Sequence, residues 1–444
     1  MSKLETIYKV LSLKQLSVDQ LDEYYCDLFS SRGDNPIKKI KRRLLQDKIG
    51  ELHCLLAGFA GCGKSTELNK MQKELENDFF VLNISIQDEL DPVNFNYTDL
   101  IILIMQRLFE YANDNNLHIV PSLLENIKNW TNSEEISKVK EFSNDFEASV
   151  EAEAGFSIPL LSKFFTTLKN VTKLNYSAKK TINEVVEHKL ADLLSLCNDL
   201  IREISLALLA NNKGLLVIVE DTDKLNIEIA SKLFHIHSSV FTSLRTNMIF
   251  TYPIALKCSH VSNIISGAFD NNVYELPMVK VYHKDGTENT EGINDLIELI
   301  KKRDVYDCIK DEDLLVKFIK SSGGCIRDLF RMIIDAADYA LDDDLEIIEE
   351  KHFNKAFIKL KRSYKETIAE KIKEDGSVIS ANDYYEALEK LNKSTIKQLD
   401  NSEVDLDLRH NLSILGYNGE GWYDVHPVVK EILKEREIER GSEI

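Results

Sequence analysis

Basic side chains are in short supply. The 444 residues carry 55 lysines and arginines against 74 aspartates and glutamates, a formal charge of −19. An acidic surface repels phosphate backbones and anionic headgroups. Generic binding of nucleic acid or of an anionic membrane is therefore disfavoured unless a local basic patch overrides it. Long apolar runs are missing too, and none could span a bilayer. The first residues carry no signal-peptide pattern, so a cytoplasmic protein is expected. Cysteines fall at 26, 54, 62, 197, 258, 308 and 325, scattered and without paired metal-ligand spacing. They read as reduced thiols, not as a disulfide framework or a zinc site. No acceptor-site constellation for a small-molecule kinase is visible. What remains is a globular composition, 43% hydrophobic and 29% charged, in a chain long enough for two or three cored domains.

One stretch organises the rest. Gly58-Phe59-Ala60-Gly61-Cys62-Gly63-Lys64-Ser65 fits the phosphate-loop pattern G-x-x-x-x-G-K-[ST] at every fixed position. The apolar Leu52–Ala57 before it reads as a buried strand, and Thr66–Lys73 after it are good helix formers. Gly58, Gly61 and Gly63 let successive N–H groups curl inward, and the helix N-terminus favours an anion. Lys64 is expected to reach the β and γ phosphates of ATP, Ser65 to ligand Mg²⁺, and Cys62 and Thr66 to line the loop. For Cys62 the plain reading is a tolerated variable position; a redox-sensitive thiol is the alternative.

Phe79–Ile86 reads as the next strand and Tyr97–Ala112 as an amphipathic helix, which argues for a parallel sheet covered by helices. Residues 113–210 form a long, mostly helical insertion. Its apolar segment Gly155–Phe165 is either buried on the insertion's own helices or an exposed docking segment, and Lys180–Leu209 keeps helical spacing throughout. The strand Leu215–Val219 ends in Glu220-Asp221-Thr222-Asp223. Acids at such a tip hold Mg²⁺ and orient water. Glu220 or Asp221 is the metal-side acid and Asp221 or Asp223 the water-side one; the register stays open. Asn247–Pro253 is a further strand, whose tip residue Thr251 or Tyr252 could sense the γ-phosphate. Asn272–Leu276 is the last.

Upstream, Ser30–Pro36 reads as a loop. The helix after it buries Ile37, Ile40, Leu44 and Leu45, with Lys38–Arg43 as a solvated face or as a nucleotide or partner contact. Residues 281–362 turn helical, with Ser322-Gly323-Gly324-Cys325-Ile326-Arg327 opening a helix. Arginine is misplaced at the positive end of a helix. Arg327 is thus either a phosphate contact or bridged to an acid such as Asp328. Residues 363–444 place helices (Tyr364–Lys373, Asp383–Leu391, Ser394–Leu399) before a hairpin, Asn411–Tyr417 with Trp422–Val425, as in a winged helix. From Lys365 onward there are 11 basic and 18 acidic residues. A DNA-reading wing wants the opposite sign, so protein contact is the better expectation.

This order of parts resembles an AAA+ ATPase, nearest to the origin-recognition and STAND-type branches and to a group of bacterial AAA-like ATPases. The runs Gly61–Leu68, Ser322–Arg327 and Trp422–Pro427 carry the likeness. It implies a three-layer α/β P-loop NTPase core (51–280, with the insertion 113–210) after an N-terminal helical linker (1–50). A helical lid (281–362) and a winged-helix-like domain (363–444) follow. It also implies catalytic roles for Lys64, Glu220, Asp221, Asp223, Thr251 and Arg327, with Thr251 or Tyr252 as sensor 1 and Arg327 as sensor 2. Such rings supply an arginine finger before the last core strand, but residues 254–271 hold only Lys257. A slow, ATP- and Mg²⁺-dependent switch acting on a protein partner is therefore expected. The resemblance alone suggests anti-phage defence. Alternatives are a DNA-binding initiator or loader and a non-hydrolysing structural subunit. Assembly of like subunits on nucleotide would make Arg303 or Lys257 the cation supplied in trans.

Overall fold

The computed structural model describes residues 3–131, 158–174, 176–373, 376–417 and 421–442. Its centre is a five-stranded parallel sheet: β1 (His53–Gly58), β2 (Phe79–Ser85), β3 (Gly214–Glu220), β4 (Asn247–Pro253) and β5 (Val273–Glu275), in the order β2-β3-β4-β1-β5. β1, β3 and β4 are buried along their whole length. That is why their sequences are continuous apolar runs and not alternating ones. β4 lies between β1 and β3, pairing Gly58 with Pro253 and Val219 with Phe250. The tip of β4 therefore sits between the phosphate loop and the acidic tip of β3. Helices cover the sheet, as an α/β P-loop fold requires.

Between β2 and β3, the helix Tyr97–Asp114 is followed by Ile158–Leu174, Tyr176–His188 and Leu190–Leu209. Leu161, Phe164 and Phe165 are buried, and Phe165 stacks on Phe109 at 5.5 Å. This part of the apolar segment is buried chiefly on Tyr97–Asp114, the helix that leads into the insertion, and also on Trp130 within it; Gly155–Ser157 lie outside the described residues. The helical stretch from Lys180 is two helices, not one. Lys189 leaves helical geometry (φ −114°, ψ 22°). The break lets both pieces lie on Tyr97–Asp114.

The basic helix is Pro36–Gln46, capped by Asn35 with Pro36 in its first turn. It buries Ile37, Ile40 and Leu44, but Leu45 is 40% exposed. Its charges pair locally, Lys39 with Asp34 and Lys41 with Glu74.

Four helices follow the sheet: Thr290–Lys302, Glu312–Ser322, Ile326–Asp342 and Glu350–Thr367. The last runs unbroken through position 362. Beyond it come a short ribbon, β6 (Lys371–Ile372) with β7 (Val378–Ile379), and the helices Ala381–Lys393 and Glu403–His410. The antiparallel hairpin β8 (Ile414–Tyr417) with β9 (Trp422–Val425) and the helix Pro427–Ser442 close the chain. Residues 418–420 of the hairpin loop lie outside the described residues. Ser394–Leu399 is not helical. Lys397 and Asn401 adopt positive φ (55° and 59°), and the helix starts instead at the capping box of Ser402 and Asp405.

The C-terminal region is packed onto the rest. A Cβ on Gly416 would lie 2.6 Å from the ring of Phe59 in the phosphate loop. Tyr417 donates its hydroxyl to the Gly323 carbonyl at 2.6 Å. Gly324, at φ +83°, leaves no room for a side chain, since a Cβ would lie 1.9 Å from the Val279 oxygen. The glycine pair thus lets the turn before Arg327 be squeezed between core and hairpin.

Candidate nucleotide site

Loop geometry comes first. Gly61 and Gly63 adopt φ +79° and +101°, a region open to glycine at little cost. A Cβ on Gly61 would lie 2.5 Å from Cβ of Arg327. The helix opened by the Gly323-Gly324 turn therefore closes directly onto the phosphate loop.

Lys64 begins the helix Lys64–Glu74 and is 5% exposed. Its ammonium donates to the carbonyls of Gly58 (2.8 Å) and Phe59 (3.1 Å) and pairs with Asp223 Oδ2 at 2.8 Å. All three ammonium hydrogens are engaged. Burial pulls the Lys64 pKa down, but the Asp223 carboxylate outweighs it and the net shift is upward. Burial works against the Asp223 carboxylate as well. Lys64 and the Thr251 hydroxyl nonetheless hold its pKa below the usual range. Lys64, Asp223 and Thr251 thus form one buried cluster. Thr251 also shares a 3.1 Å contact with the Thr222 hydroxyl. Tyr252 points elsewhere, edge-on to Phe234 at 5.1 Å.

Ser65 hydrogen-bonds Glu220, whose pKa is raised chiefly by burial. Asn83 donates to Glu220 Oε1 at 3.1 Å. Among the described residues, Glu220 Oε2 is buried without a partner. A hydroxyl and a carboxylate with a vacant oxygen are a hard-cation donor set, so Ser65 and Glu220 fit Mg²⁺. Asp221 is not part of this pair. It sits at φ +69°, accepts from Ser85 at 2.6 Å and pairs with Lys224 at 2.5 Å. The left-handed residue turns the chain, so Glu220 faces Ser65, Asp223 faces Lys64, and Asp221 faces β2.

Around the cluster is a cavity of about 130 Å³ lined by Lys14, Arg32, Lys64, Lys224, Arg303 and Arg327 against only Glu67 and Asp223. In an acidic chain this is a concentrated positive site. Gly61, Gly63, Ser65 and Thr66 line it too, whereas Gly58 and Cys62 shape the loop from behind. Cys62 is a buried free thiol, and its backbone carbonyl accepts from Arg32. Arg327 is half-buried and, among the described residues, has no hydrogen bond or ion pair. The bridge to Asp328 does not form, because Asp328 accepts from Tyr364 at 2.6 Å and faces His426 at 3.3 Å.

Several lining residues were not legible beforehand. Arg32, 1% exposed, donates to the carbonyls of Pro277 (2.5 Å) and Cys62 (2.6 Å), and its Nε has no partner. Tyr25 donates to Glu67 Oε2 at 3.1 Å. Arg303 is buried between the rings of Tyr24 and Phe330, 5.3 Å from each, and donates to the Val10 carbonyl at 2.5 Å. Burial lowers its pKa to about 10. Arg303 therefore belongs to the cavity of its own subunit and is not placed to act in trans. Lys257 is ion-paired with Glu275. Only contacts between segments far apart in sequence reveal these residues.

Burial raises the Glu67 pKa from 4.5 to about 7, against the pull of Arg32 and Tyr25. A carboxyl raised on folding favours the fold fully below its unfolded pKa and loses that contribution as pH climbs through the folded value. The nucleotide-free protein is expected to lose up to about 3 kcal/mol of stability between roughly pH 4.5 and 7 from this group. Denaturant melts across that window check it. Glu67→Gln should flatten the slope, and an unchanged slope in that variant would refute the assignment.

Residues 51–253 match the KAP family P-loop domain. No curated protein matches the chain. Solved structures that match the chain include Cdc6p of Pyrobaculum aerophilum, 11% identical with a TM-score of 0.41, covering 97% of this chain and 98% of that one. A Walker-type ATPase of Pyrococcus abyssi is 14% identical with a TM-score of 0.43, covering 96% and 99% respectively. Residues 51–253 are thus similar to a P-loop NTPase domain.

Proposed function

We propose that this P-loop NTPase is a switch that binds ATP with Mg²⁺ between core and lid, hydrolyses it slowly, and reports its γ-phosphate to a protein partner through the C-terminal region. One observation carries the reading. The Gly323-Gly324 turn serves two masters: its helix aims an unpartnered Arg327 at the phosphate loop, and its Gly323 carbonyl is held by Tyr417 of the hairpin. A phosphate that draws Arg327 inward must pull on the hairpin.

Lys64 and Arg327 bind the phosphates. Glu220 and Ser65 hold the cation, which when bound supplies charge neutralisation at the transferring group. Asp223, once released from Lys64, is placed beside Thr251 to take a proton from, or orient, the attacking water. Catalysis is by positioning and charge, without a covalent intermediate. The C-terminal surface is acidic, 11 basic against 18 acidic residues from Lys365, which favours a protein partner over DNA.

The test is hydrogen exchange at residues 414–417 and 422–425 with a non-hydrolysable ATP analogue and with ADP. The two nucleotides should give different protection, and Arg327→Ala should erase the difference while leaving the apo protein unchanged. Equal protection with both nucleotides in the wild type would refute the switch.

A further inference from the structure

Glu67 has no place in a phosphate site. It lies three residues beyond Lys64, in the first turn of the same helix, and is 4% exposed. A buried carboxylate there repels a polyphosphate, and the dipole that suits an anion is already claimed by the loop. Yet Glu67 lines the cavity together with Lys64, Ser65 and Thr66. Its Oε2 accepts from Tyr25 at 3.1 Å. Its Oε1 has no partner among the described residues and is not among the fully enclosed atoms that lack one. One acceptor oxygen is therefore fixed by Tyr25 and the other is left for something that donates.

The lining is of two kinds: Lys64, Arg32 and Arg327 supply cations, and Leu13, Leu16, Ile326 and Phe330 supply apolar wall. A nucleotide suits such a lining once the cavity opens, with its phosphates on the cations and its flat nucleoside on apolar wall. Glu67 lies one helical turn beyond Lys64, on the helix that meets the N-terminal segment carrying Leu13 and Leu16. Asn69, two residues on, donates to the Leu16 carbonyl at 2.8 Å. With Tyr25 this ties the N-terminal wall to the phosphate-loop helix at two points.

We propose that Glu67, positioned by Tyr25, is the hydrogen-bond acceptor that reads the nucleoside of the bound nucleotide. The proposal rests on the reading of the cavity as an ATP site. The group it recognises is a donor on the nucleoside, and two are available: a ribose hydroxyl and the exocyclic amine of adenine. A buried acceptor left unpaired is costly, so an analogue without the donor is rejected.

The experiment measures dissociation constants for ATP, 2′-deoxy-ATP and inosine triphosphate, each with Mg²⁺, on the full chain. Wild-type protein should bind one of the two analogues at least about tenfold more weakly than ATP. Loss with the deoxy compound assigns the ribose hydroxyl; loss with the inosine compound assigns the amine. Glu67→Leu should bring ATP down to the level of the rejected analogue. Glu67→Gln, which keeps a carbonyl acceptor and is the milder change for folding, should retain discrimination, and Tyr25→Phe should lose part of it. Equal affinity of the wild type for all three compounds would overturn the proposal, as would discrimination that survives in Glu67→Leu. If ATP binds the wild type no better than it binds Lys64→Ala, the nucleotide-site reading itself falls, which is a separate outcome.

Discussion

Lys64→Ala is expected to abolish nucleotide binding and also to destabilise the empty protein by about 3–5 kcal/mol. The second effect is unusual for a phosphate-binding lysine, which in an open loop would be a solvated charge. Here the ammonium is 5% exposed and its partner Asp223 is 8% exposed on its side chain. Removing the lysine leaves a carboxylate buried beside Thr251 with no cation. It also orphans the carbonyls of Gly58 and Phe59, which lose their donor. Calorimetry with ATP and thermal melts of the apo protein read the two effects separately. The double variant Lys64→Ala with Asp223→Asn should recover most of the stability and none of the binding, because it removes the stranded charge but not the need for a phosphate ligand. A single variant as stable as the wild type would show that the Lys64–Asp223 pair is not formed in solution.

Asp223→Asn alone should act in the opposite direction on binding. In the empty site every hydrogen of the Lys64 ammonium is spoken for, so a phosphate can be gripped only after one bond is exchanged. The bond to Asp223 is the one that a β- or γ-phosphate oxygen replaces most directly, since it too is an anionic acceptor facing the Thr251 hydroxyl. The cavity of about 130 Å³ is also smaller than the roughly 300 Å³ at the lower end of ligand pockets. Entry therefore requires the site to open, and the exchange at Lys64 requires Asp223 to withdraw. Hydrogen bonds to charged groups contribute about 1.5–3 kcal/mol. Weakening this one should tighten ATP and ADP by about 10- to 100-fold. Turnover should fall by at least about 100-fold, because in the proposed mechanism the same carboxylate orients the attacking water. Equilibrium binding and single-turnover hydrolysis measure both. Weaker binding in Asp223→Asn would mean that Asp223 supports the nucleotide and does not compete with it.

The elements that sequence made legible are those set by local rules. β1, β3 and β4 are apolar along their whole length because both faces are covered, and each ends in a residue type with a chemical reason to be there. The phosphate loop is written in three glycines and a lysine within eight residues. The hairpin showed itself through flanking apolar runs around a glycine turn. The acidic tip was legible as chemistry but not as geometry. Nothing in Glu220-Asp221-Thr222-Asp223 says that Asp221 adopts φ +69°, and that one dihedral decides which acid faces Ser65 and which faces Lys64. Ser394–Leu399 was misread for a related reason. Its composition suits a helix, but the chain needs left-handed residues at Lys397 and Asn401 to bring Asp424 within reach of Lys397, at 2.8 Å. Arg32 lay in a stretch with only turn signals, and Tyr25 in a linker legible only as helical. Their roles arise from meeting Cys62 and Glu67, 30 and 42 residues away, and such meetings leave no periodic trace.

The stretch that a family profile recognises and the stretch that folds are different things in this chain. The match ends at position 253, before β5 supplies the sheet's last strand beside β1. Phe59, inside the nucleotide loop itself, is roofed by Gly416 from a hairpin more than three hundred residues downstream. A phosphate loop seated in this way cannot be moved between proteins as a portable cartridge. Any lineage that exchanged its C-terminal region had to carry a residue as small as glycine at that seat, or rebuild the loop beneath it.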